Sequence, residues 1–233
     1  MDILHEKIEQ VNRVLKNDES LVNNSFYITY AFLMTTATIT FIEAMRTKDL
    51  KVRNILNLET CISVVAAFFY SEFVDKIKDG NIDYEEINKT RYTDWSITTP
   101  IMLLVLCLAF LYNSKGGPLS IYKFGIVLVL NFFMLLFGYL GETERMSRNF
   151  ANGIGFVFFA ALYGYIYKQF IHKKANRDNS LLFWTFVILW SFYGVFYQMS
   201  SIPRNVGYNV LDLMSKCFVG IFFWAYFTRA FKI

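Results

Sequence analysis

The feature that most constrains this chain is a set of seven apolar stretches, each close to the length of a helix that crosses a lipid bilayer. A membrane-spanning α-helix needs about 20 mostly apolar residues. The stretches follow one another along the chain with polar connections between them: Phe26–Met45, Asn54–Val74, Arg91–Tyr112, Ser120–Leu140, Phe150–Phe170, Leu181–Met199 and Gly207–Ala230. The sequence therefore predicts an all-α, multi-pass integral membrane protein, folded as a seven-transmembrane-helix bundle in the lipid bilayer.

The overall composition agrees with this prediction. Of the 233 residues, 55% are hydrophobic and only 18% are charged. Soluble domains carry about 25% charged residues, so the chain is too poor in charge for an ordinary soluble fold. The polar residues 1–25 precede the first apolar stretch and are predicted to form an extracellular N-terminal arm. Residues 26–233 are predicted to form the seven-helix domain.

The distribution of basic residues predicts the orientation of the bundle. If the N-terminus lies outside, basic residues outnumber acidic ones in the inner loops, the inner helix ends and the C-terminal tail. These basic residues are Arg46, Lys48, Lys51, Arg53, Lys115, Lys123, Lys168, Lys173, Lys174, Arg177, Arg229 and Lys232. Short loops rich in Lys and Arg stay in the cytoplasm. The N-terminus is therefore predicted outside and the C-terminus inside. The net charge of +4 reflects this topology and predicts no nucleic-acid partner.

Several ionisable residues lie within the apolar stretches, where a charge at the bilayer centre costs at least about 2.5–3.5 kcal/mol. Asp212 and Lys216 are four residues apart on the seventh stretch, so they share a helix face. Arg91 and Asp94 share a face in the same way at the start of the third. Either pair could be a structural salt bridge, but charges inside a membrane more often mark a functional site.

The sixth stretch adds aromatic side chains at helical spacing, Trp190, Tyr193 and Tyr197. A lysine amine in a dry pocket is suited to forming a Schiff base with an aldehyde. The protonated Schiff base would need carboxylate counter-ions. Aromatic walls would hold a long polyene. The alternative is plain packing, because 19% of the chain is aromatic.

Three motifs together resemble the microbial (type 1) rhodopsin family. The first is the segment Arg91–Pro100, RYTDWSITTP, which is similar to the signature of the third helix in that family. The others are Trp190–Tyr193 and the pair Asp212 and Lys216. The motifs occur in the family order, and the seven-span layout matches over residues 25–230. The short chain also resembles viral rhodopsins and channelrhodopsin-like retinal proteins.

This resemblance implies a light-responsive, non-enzymatic membrane protein that holds all-trans retinal on Lys216 as a protonated Schiff base. Asp94 would be the primary counter-ion and proton acceptor, and Asp212 the second carboxylate. Arg91 would organise the counter-ion cluster, and Thr98 would hydrogen-bond Asp94. The resemblance places six residues in the retinal pocket: Tyr92, Trp95, Thr99, Trp190, Tyr193 and Tyr197. It also implies a homo-oligomer, without deciding the number of subunits.

Two departures from the family pattern argue against an ordinary proton pump. In outward proton pumps of the family, a carboxylate lies eleven residues after the counter-ion, where this chain has Val105. The outer release region of such pumps carries glutamates, whereas the stretch Gln198–Asn209 has none and contains Arg204. The chain therefore lacks the usual proton donor on the inner side and the usual release glutamates on the outer side of the family's proton pumps.

Polar residues collect instead on the first two apolar stretches, and they predict an ion pathway. Glu59 and Ser63 share one face of the second, and Thr36, Thr40 and Glu43 share one face of the first. Carboxylates along a hydrated path favour cations. Glu43 could also simply reach the cytoplasmic interface, and Glu59 could be structural. Cysteine spacing indicates no metal site.

The sequence therefore favours a light-gated channel for monovalent cations. The first alternative is a light-driven outward proton pump, with or without Glu59 as an unusual donor. The second is a photosensory receptor, which would need a separate transducer. A seven-helix transporter without retinal would keep the ion pairs and discard the chromophore.

Overall fold

The prediction of a seven-helix membrane bundle is confirmed. A computed structural model describes the backbone of residues 2–80, 82–172 and 176–228, and the side chains within these ranges from residue 19 onward. Each of the seven helices in these ranges has a segment long and apolar enough to cross a membrane. The helices are α1 (Asp2–Arg46), α2 (Leu50–Lys78), α3 (Tyr84–Asn113), α4 (Ile121–Glu142), α5 (Arg148–Ile171), α6 (Arg177–Tyr197) and α7 (Ser201–Thr228).

The first helix is longer than the first apolar stretch. It begins at Asp2 and continues without a break through residue 25, where the sequence predicts the end of a polar arm. The part of α1 with membrane-spanning character begins at Glu19. The division into an arm and a seven-helix domain stays a prediction, since the side chains before residue 19 are not described.

The orientation across the membrane also stays a prediction. Four of the basic residues that support it, together with the predicted end of the last span, lie outside the described residues; these are Lys173, Lys174, Arg229, Lys232 and Ala230. We call the end of the bundle at which α3, α5 and α7 begin the predicted outer end, and the opposite end the predicted inner end.

Local sequence signals fix where several helices begin. The side chain of Asp49 accepts hydrogen bonds from the backbone N–H groups of Lys51 and Val52, and Asp83 caps α3 in the same way. Asn176 caps α6 through the N–H of Asp178. Such caps satisfy backbone donors that a helix leaves unpaired in its first turn. Pro100 lies inside α3 without ending it.

The helices close into a ring in which α1 packs against both α2 and α7. Two large apolar clusters fill most of the bundle, and a smaller one surrounds Leu56. The outer core lies between α1, α2 and the start of α3, and includes Val22, Phe26, Phe73, Ile77 and Ile87. The inner core lies around the second half of α3, and includes Ile55, Leu103, Leu106, Phe110 and Phe223.

The seventh helix departs from α-helical geometry at the residue of greatest interest. Residues Leu213–Phe218 form a π-helical segment, and Lys216 lies within it. A second π-helical segment, Tyr167–Ile171, ends α5. Single π-helical turns inside α-helices occur frequently at functional sites. The segment therefore marks the middle of α7 as a place where packing is adapted to a special side chain.

Candidate functional site

The centre of the bundle holds a buried lysine between two buried carboxylates. Lys216 Nζ donates to Asp94 Oδ2 at 2.6 Å and lies 3.5 Å from Asp212 Oδ1. All three side chains are at most 1% exposed. Charges buried to this extent are tolerated only when they are paired and hydrogen-bonded. The structure thus brings together three residues that the sequence singled out, on α3 and α7.

Asp212 is held by donors from two further helices. Tyr193 on α6 donates its hydroxyl to Asp212 Oδ1 at 2.7 Å, and Tyr70 on α2 donates to Asp212 Oδ2 at 2.9 Å. Arg91 Nη1 lies 3.7 Å from Asp212 Oδ2. Hydrogen bonds to an ionised group are stronger than neutral ones. The two hydrogen bonds and the nearby guanidinium therefore stabilise the ionised form of Asp212.

Arg91 lies on the predicted outer side of the two carboxylates, inside a cage of aromatic rings. Its Cζ atom is 5.2–5.6 Å from the ring centroids of Phe26, Tyr70, Phe73 and Tyr208. It donates to the Tyr70 hydroxyl at 3.1 Å and also to Asn209 Oδ1. Faces of aromatic rings attract a cation, and more strongly when the cation is desolvated. Arg91 is thus fixed in place as the positive partner of Asp212.

Asp94 has far fewer partners than Asp212. Its Oδ1 atom is buried and accepts no hydrogen bond from the residues that the structure describes. Thr98, which the resemblance predicts as a partner of the carboxylate, donates at 2.9 Å to the backbone carbonyl of Asp94 instead. A threonine within a helix commonly bonds to the carbonyl four residues earlier. Asp94 therefore relies on Lys216 for its one charged hydrogen bond.

Beside Lys216 the bundle contains a mostly apolar cavity. Binding sites for small molecules and cofactors are mostly apolar, with a few placed polar groups. The walls include all six residues predicted for the pocket: Tyr92, Trp95, Thr99, Trp190, Tyr193 and Tyr197. Other lining residues are Met102, Met134, Gly138, Phe156, Gly194, Tyr208 and Ser215. Lys216 is among the few polar groups of this lining, and the rest is mostly aromatic and aliphatic.

Glycines on α4 allow aromatic side chains of the cavity to lie against that helix. A Cβ atom at Gly138 would come within 2.7 Å of the Tyr92 hydroxyl, and one at Gly141 would collide with the Tyr197 hydroxyl. Tyr197 donates to the Gly138 carbonyl at 2.9 Å. A side chain at either glycine would displace an aromatic wall of the cavity.

With this geometry in place, comparison with known proteins shows the family. The family model described as bacteriorhodopsin-like protein matches residues 21–230. The chain belongs to the bacteriorhodopsin-like family. It is a microbial (type 1) rhodopsin, as the three motifs predict. Its structure resembles that of the viral rhodopsin OLPVRII, with a TM-score of 0.86 and 55% identity over 91% of this chain and 100% of that one.

More distant relatives share the same fold. A green-light absorbing proteorhodopsin from Gamma-proteobacterium EBAC31A08 is 27% identical over 58% of this chain. That match covers 59% of the proteorhodopsin, which is less than two thirds of its length. The crystal structure of a blue light-absorbing proteorhodopsin from Med12 has a TM-score of 0.74 at 19% identity, and covers 90% of this chain and 98% of that one.

Retinal, bound through a Schiff base, is the cofactor of this family, and the prediction of that cofactor is confirmed. The residues present fit it. The cavity is mostly apolar and lined by aromatic rings, and the primary amine of Lys216 is part of its lining. Asp94 Oδ1 lacks a hydrogen-bond donor among the described residues, so it has room for a second polar partner near that amine.

On the predicted inner side of Lys216, this rhodopsin places a further buried carboxylate. Glu59 is 2% exposed, and its Oε2 atom lies 3.0 Å from the position that a Cβ atom on Gly220 would occupy. Gly220 follows Lys216 by four residues, about one helical turn. Among the described residues, no opposite charge lies beside Glu59. The carboxylate is therefore close to α7 because Gly220 has no side chain.

The other residues of the predicted ion pathway divide into two groups. Thr36, Thr40 and Ser63 are completely buried near Glu59, between α1, α2 and α7. The Thr40 hydroxyl lies 2.8 Å from that of Thr60 on α2. Glu43 is separate from them, since it is partly exposed at the end of α1 and pairs with Arg46 at 3.0 Å. The structure thus groups Glu59 with hydroxyls and leaves Glu43 at the surface.

Sequence reasoning did not assign a role to several residues of this site. Tyr208 and Asn209 lie one turn before Asp212 on α7, and their helical spacing could have indicated them. Tyr70 lies on the same helix face as Glu59 and Ser63, but this spacing on α2 gives no connection to Asp212 on α7. Glu142 on α4 forms a buried ion pair with Arg204 on α7, and no pattern in the sequence connects these two positions.

Proposed function

We propose that this rhodopsin is a light-driven proton translocator in which Lys216 carries retinal and Asp94 accepts the proton of the lysine nitrogen. The observation that supports this most is the 2.6 Å contact between Lys216 Nζ and Asp94 Oδ2, in a site closed to solvent. A proton donor and its acceptor must lie within hydrogen-bond reach, at about 2.6–3.2 Å. The channel favoured by the sequence becomes the second candidate.

Bound retinal would supply the absorption of light and a change of shape at the lysine nitrogen. The chain's own residues hold that nitrogen in one orientation. Trp95 and Trp190 line the cavity and would enclose the chromophore, and Tyr193 joins this wall to Asp212 at 2.7 Å. Residues held by several contacts keep a reacting group within a narrow range of geometries.

The unequal surroundings of the two carboxylates decide which one takes the proton. Asp212 is supported by Tyr70, Tyr193 and Arg91, whereas Asp94 has Lys216 alone. When two neighbouring acids have different environments, the environments assign their roles. Asp94 is the carboxylate that can accept a proton without losing other charged hydrogen bonds. Asp212 stays ionised and keeps Arg91 in position.

Glu59 is the candidate for returning a proton to Lys216 from the predicted inner side. It lies against α7 one turn beyond Lys216, next to Gly220. Val105, at the family's usual donor position, is completely buried in the inner core and carries no proton. A carboxylic acid in a dry site stays neutral more readily than it ionises, so it can hold a proton in reserve. Glu59 would therefore replace the missing donor from α2.

Packing of the bundle supports translocation of protons over conduction of larger ions. A path between α1, α2, α3 and α7 would have to cross the outer core at Phe26 and Phe73 and the inner core at Leu106 and Phe223. These residues are at most 1% exposed. A proton needs only hydrogen-bonded groups in sequence, whereas a hydrated cation needs an open pore.

A light-gated cation channel is the second candidate, and one observation favours it. Ser63 Oγ is buried and has no hydrogen-bond partner among the described residues, close to Thr36 and Glu59. Unpartnered hydroxyls beside a carboxylate are sites that water could occupy when the helices separate. The two candidates share Lys216 and Asp94 and differ in what crosses the membrane.

Photocurrent measured against membrane voltage tests the proposal. We expect a light-induced current that keeps one direction at every voltage, because the energy of light drives the proton. A passive channel carries ions down their gradient, so its current changes sign near the equilibrium potential of the ion. The experiment uses the full chain with retinal under voltage clamp. A current whose reversal potential follows the sodium or potassium gradient would contradict the pump and favour the channel.

Replacing Glu59 with glutamine tests its role as donor. Glu59→Gln keeps the size of the side chain and removes its exchangeable proton. We expect the return of a proton to Lys216 after a flash to slow by about tenfold to a hundredfold, since positioned acids accelerate proton transfer by factors of this order or more. Flash spectroscopy measures the rate. Glu43→Gln, at the surface beside Arg46, is the matched control. Equal rates in the Glu59 variant and the unaltered chain would assign Glu59 a structural role.

A further inference from the structure

A second buried ion pair lies at the predicted outer end of the bundle, apart from Lys216. Arg204 Nη1 donates to Glu142 Oε1 at 2.8 Å, and the two residues are 5% and 4% exposed. Arg204 Nε also donates to the Met199 carbonyl at 3.2 Å. The other oxygen of the carboxylate, Glu142 Oε2, is buried and accepts no hydrogen bond from the described residues. One half of this carboxylate is therefore free to take a proton.

The position of Glu142 gives no obvious advantage in stability. It is the last residue of α4, and the C-terminal end of a helix carries a partial negative charge that disfavours a carboxylate. Buried ion pairs can often be replaced by apolar residues of similar volume without loss of stability. Ionisable groups within membrane proteins more often mark the route of a proton or ion. This pair therefore has the properties of a functional group.

Tyr208 connects the pair to the site around Lys216. It lies on α7 one turn after Arg204, and its ring centroid is 5.6 Å from Arg91 Cζ. Its hydroxyl is close enough to Glu142 and Arg204 to interact with both electrostatically. Tyr208 thus lies between Arg91 and the ion pair at the end of α4.

The other face of Arg91 is mostly apolar, and its polar groups include the hydrogen-bonded Asn209 and Ser25. There Phe26 and Phe73 cover the guanidinium, and beyond them the outer core continues with Val22, Ile77 and Ile87. The side of Tyr208 and α4 differs because it holds a buried carboxylate, Glu142, with one oxygen that accepts no hydrogen bond from the described residues. A proton leaving the central site on that side would meet a buried acceptor.

We propose that Glu142 is the exit relay for the proton, with Arg204 as its positioning residue. The O–H bond on Asp94 breaks, the proton passes along the Tyr208 side, and an O–H bond forms on Glu142 Oε2. That bond then breaks, and the proton goes to water outside, which leaves Glu142 ionised beside Arg204 as before. This inference rests on the proposed proton transfer from Lys216 to Asp94.

The groups around Glu142 suit this role. Arg204 on α7, Arg148 on α5 and Lys89 on α3 are the positive charges around Glu142, and Glu85 on α3 is the negative one. Three tyrosines from α3, α6 and α7 also lie within electrostatic reach: Tyr92, Tyr197 and Tyr208. The positive charges of Arg204 and Arg148 favour the ionised carboxylate, so they help Glu142 give up each proton that it receives.

Glu142→Gln tests the relay, because it keeps the hydrogen bond to Arg204 and removes the proton-binding site. In the retinal-bound chain, we expect the absorption maximum and the rate of proton loss from Lys216 to stay unchanged. Proton release to the outer medium, followed with a pH-sensitive dye, should slow at least about tenfold. Infrared difference spectra should lose a carboxylic acid C=O band that appears transiently in the unaltered chain. Glu144→Gln, an exposed carboxylate two residues away, should keep both the rate and the band.

A second variant keeps the test valid if Glu142→Gln folds poorly with Arg204 left unpaired. Glu142→Leu combined with Arg204→Met replaces the pair by apolar side chains, which is often neutral for stability. It should show the same slow release and the same missing band. Unchanged release and an unchanged band in both variants would overturn the relay while leaving the transfer to Asp94 intact. Absence of any light-driven proton release from the unaltered chain would instead overturn the proposed function, and the relay with it.

Discussion

Lys216→Ala is expected to abolish the colour that the protein acquires when all-trans retinal is added. Only a primary amine can form the Schiff base with the aldehyde, and Lys216 Nζ is the amine in the lining of the central cavity. The loss should be complete. In the variant, any retinal held by the cavity walls alone lacks the covalent bond that shifts its absorption to visible wavelengths. The visible absorption spectrum of the purified protein measures this effect.

Two control variants separate loss of the bond from loss of the fold. Lys216→Ala leaves Asp94 and Asp212 without their amine, and breaking a buried ion pair costs about 3–5 kcal/mol. Lys216→Arg keeps a positive charge beside both carboxylates but cannot form a Schiff base, so it should be folded and colourless. Lys123→Ala, on the exposed surface of α4, should be coloured. Retinal colour surviving in Lys216→Ala or Lys216→Arg would remove Lys216 as the attachment site.

Asp94→Asn is expected to move the absorption maximum to longer wavelength and to suppress light-driven proton transfer. A carboxylate 2.6 Å from Lys216 Nζ concentrates the positive charge of a protonated Schiff base at the nitrogen. Without that negative charge, the positive charge spreads along the polyene and the transition energy falls. The amide cannot accept the proton, so the rate of transfer should fall by a factor of about 100 or more. Absorption and flash spectroscopy measure the two effects.

The control for this variant is an aspartate in a solvent-exposed ion pair. Asp75 pairs with Lys78 at 3.1 Å on the exposed end of α2, and Asp75→Asn should change neither property. Asp212→Asn offers a second comparison, because it removes the partner of Tyr70, Tyr193 and Arg91 and should destabilise the whole cluster. An unshifted spectrum and normal proton transfer in Asp94→Asn would assign both roles to another group.

The cluster of Asp94, Asp212 and Lys216 shows which contacts helical spacing can predict and which it cannot. The contact between Asp212 and Lys216 follows from their separation of four residues on one helix. The contact between Lys216 and Asp94 joins positions 122 residues apart, and helical spacing predicts nothing about it. Only the family resemblance placed these two residues together before the structure was known. The residues that surround them on α2 and α6, Tyr70 and Tyr193, approach for the same tertiary reason.

Two other residues show where reasoning from the sequence ends. Glu43 and Glu59 share the same chemistry, and both lie on inward faces of predicted helices. The structure buries Glu59 against Gly220 and leaves Glu43 at the helix end beside Arg46. The depth of a carboxylate depends on how the helices pack and where they end, because a helix face by itself does not fix its distance from water.

The sequence by itself determined the seven-helix membrane fold. The length and apolar character of each helix are local properties, and they suffice for a helix to be stable across the bilayer. It also predicted, through residues on single helices and a family resemblance, which side chains would hold retinal. Only the tertiary structure decided which carboxylate lacks support, which face of Arg91 is closed by apolar rings, and that Glu142 meets Arg204. These features depend on contacts between different helices, and the residues that make them are far apart in the chain.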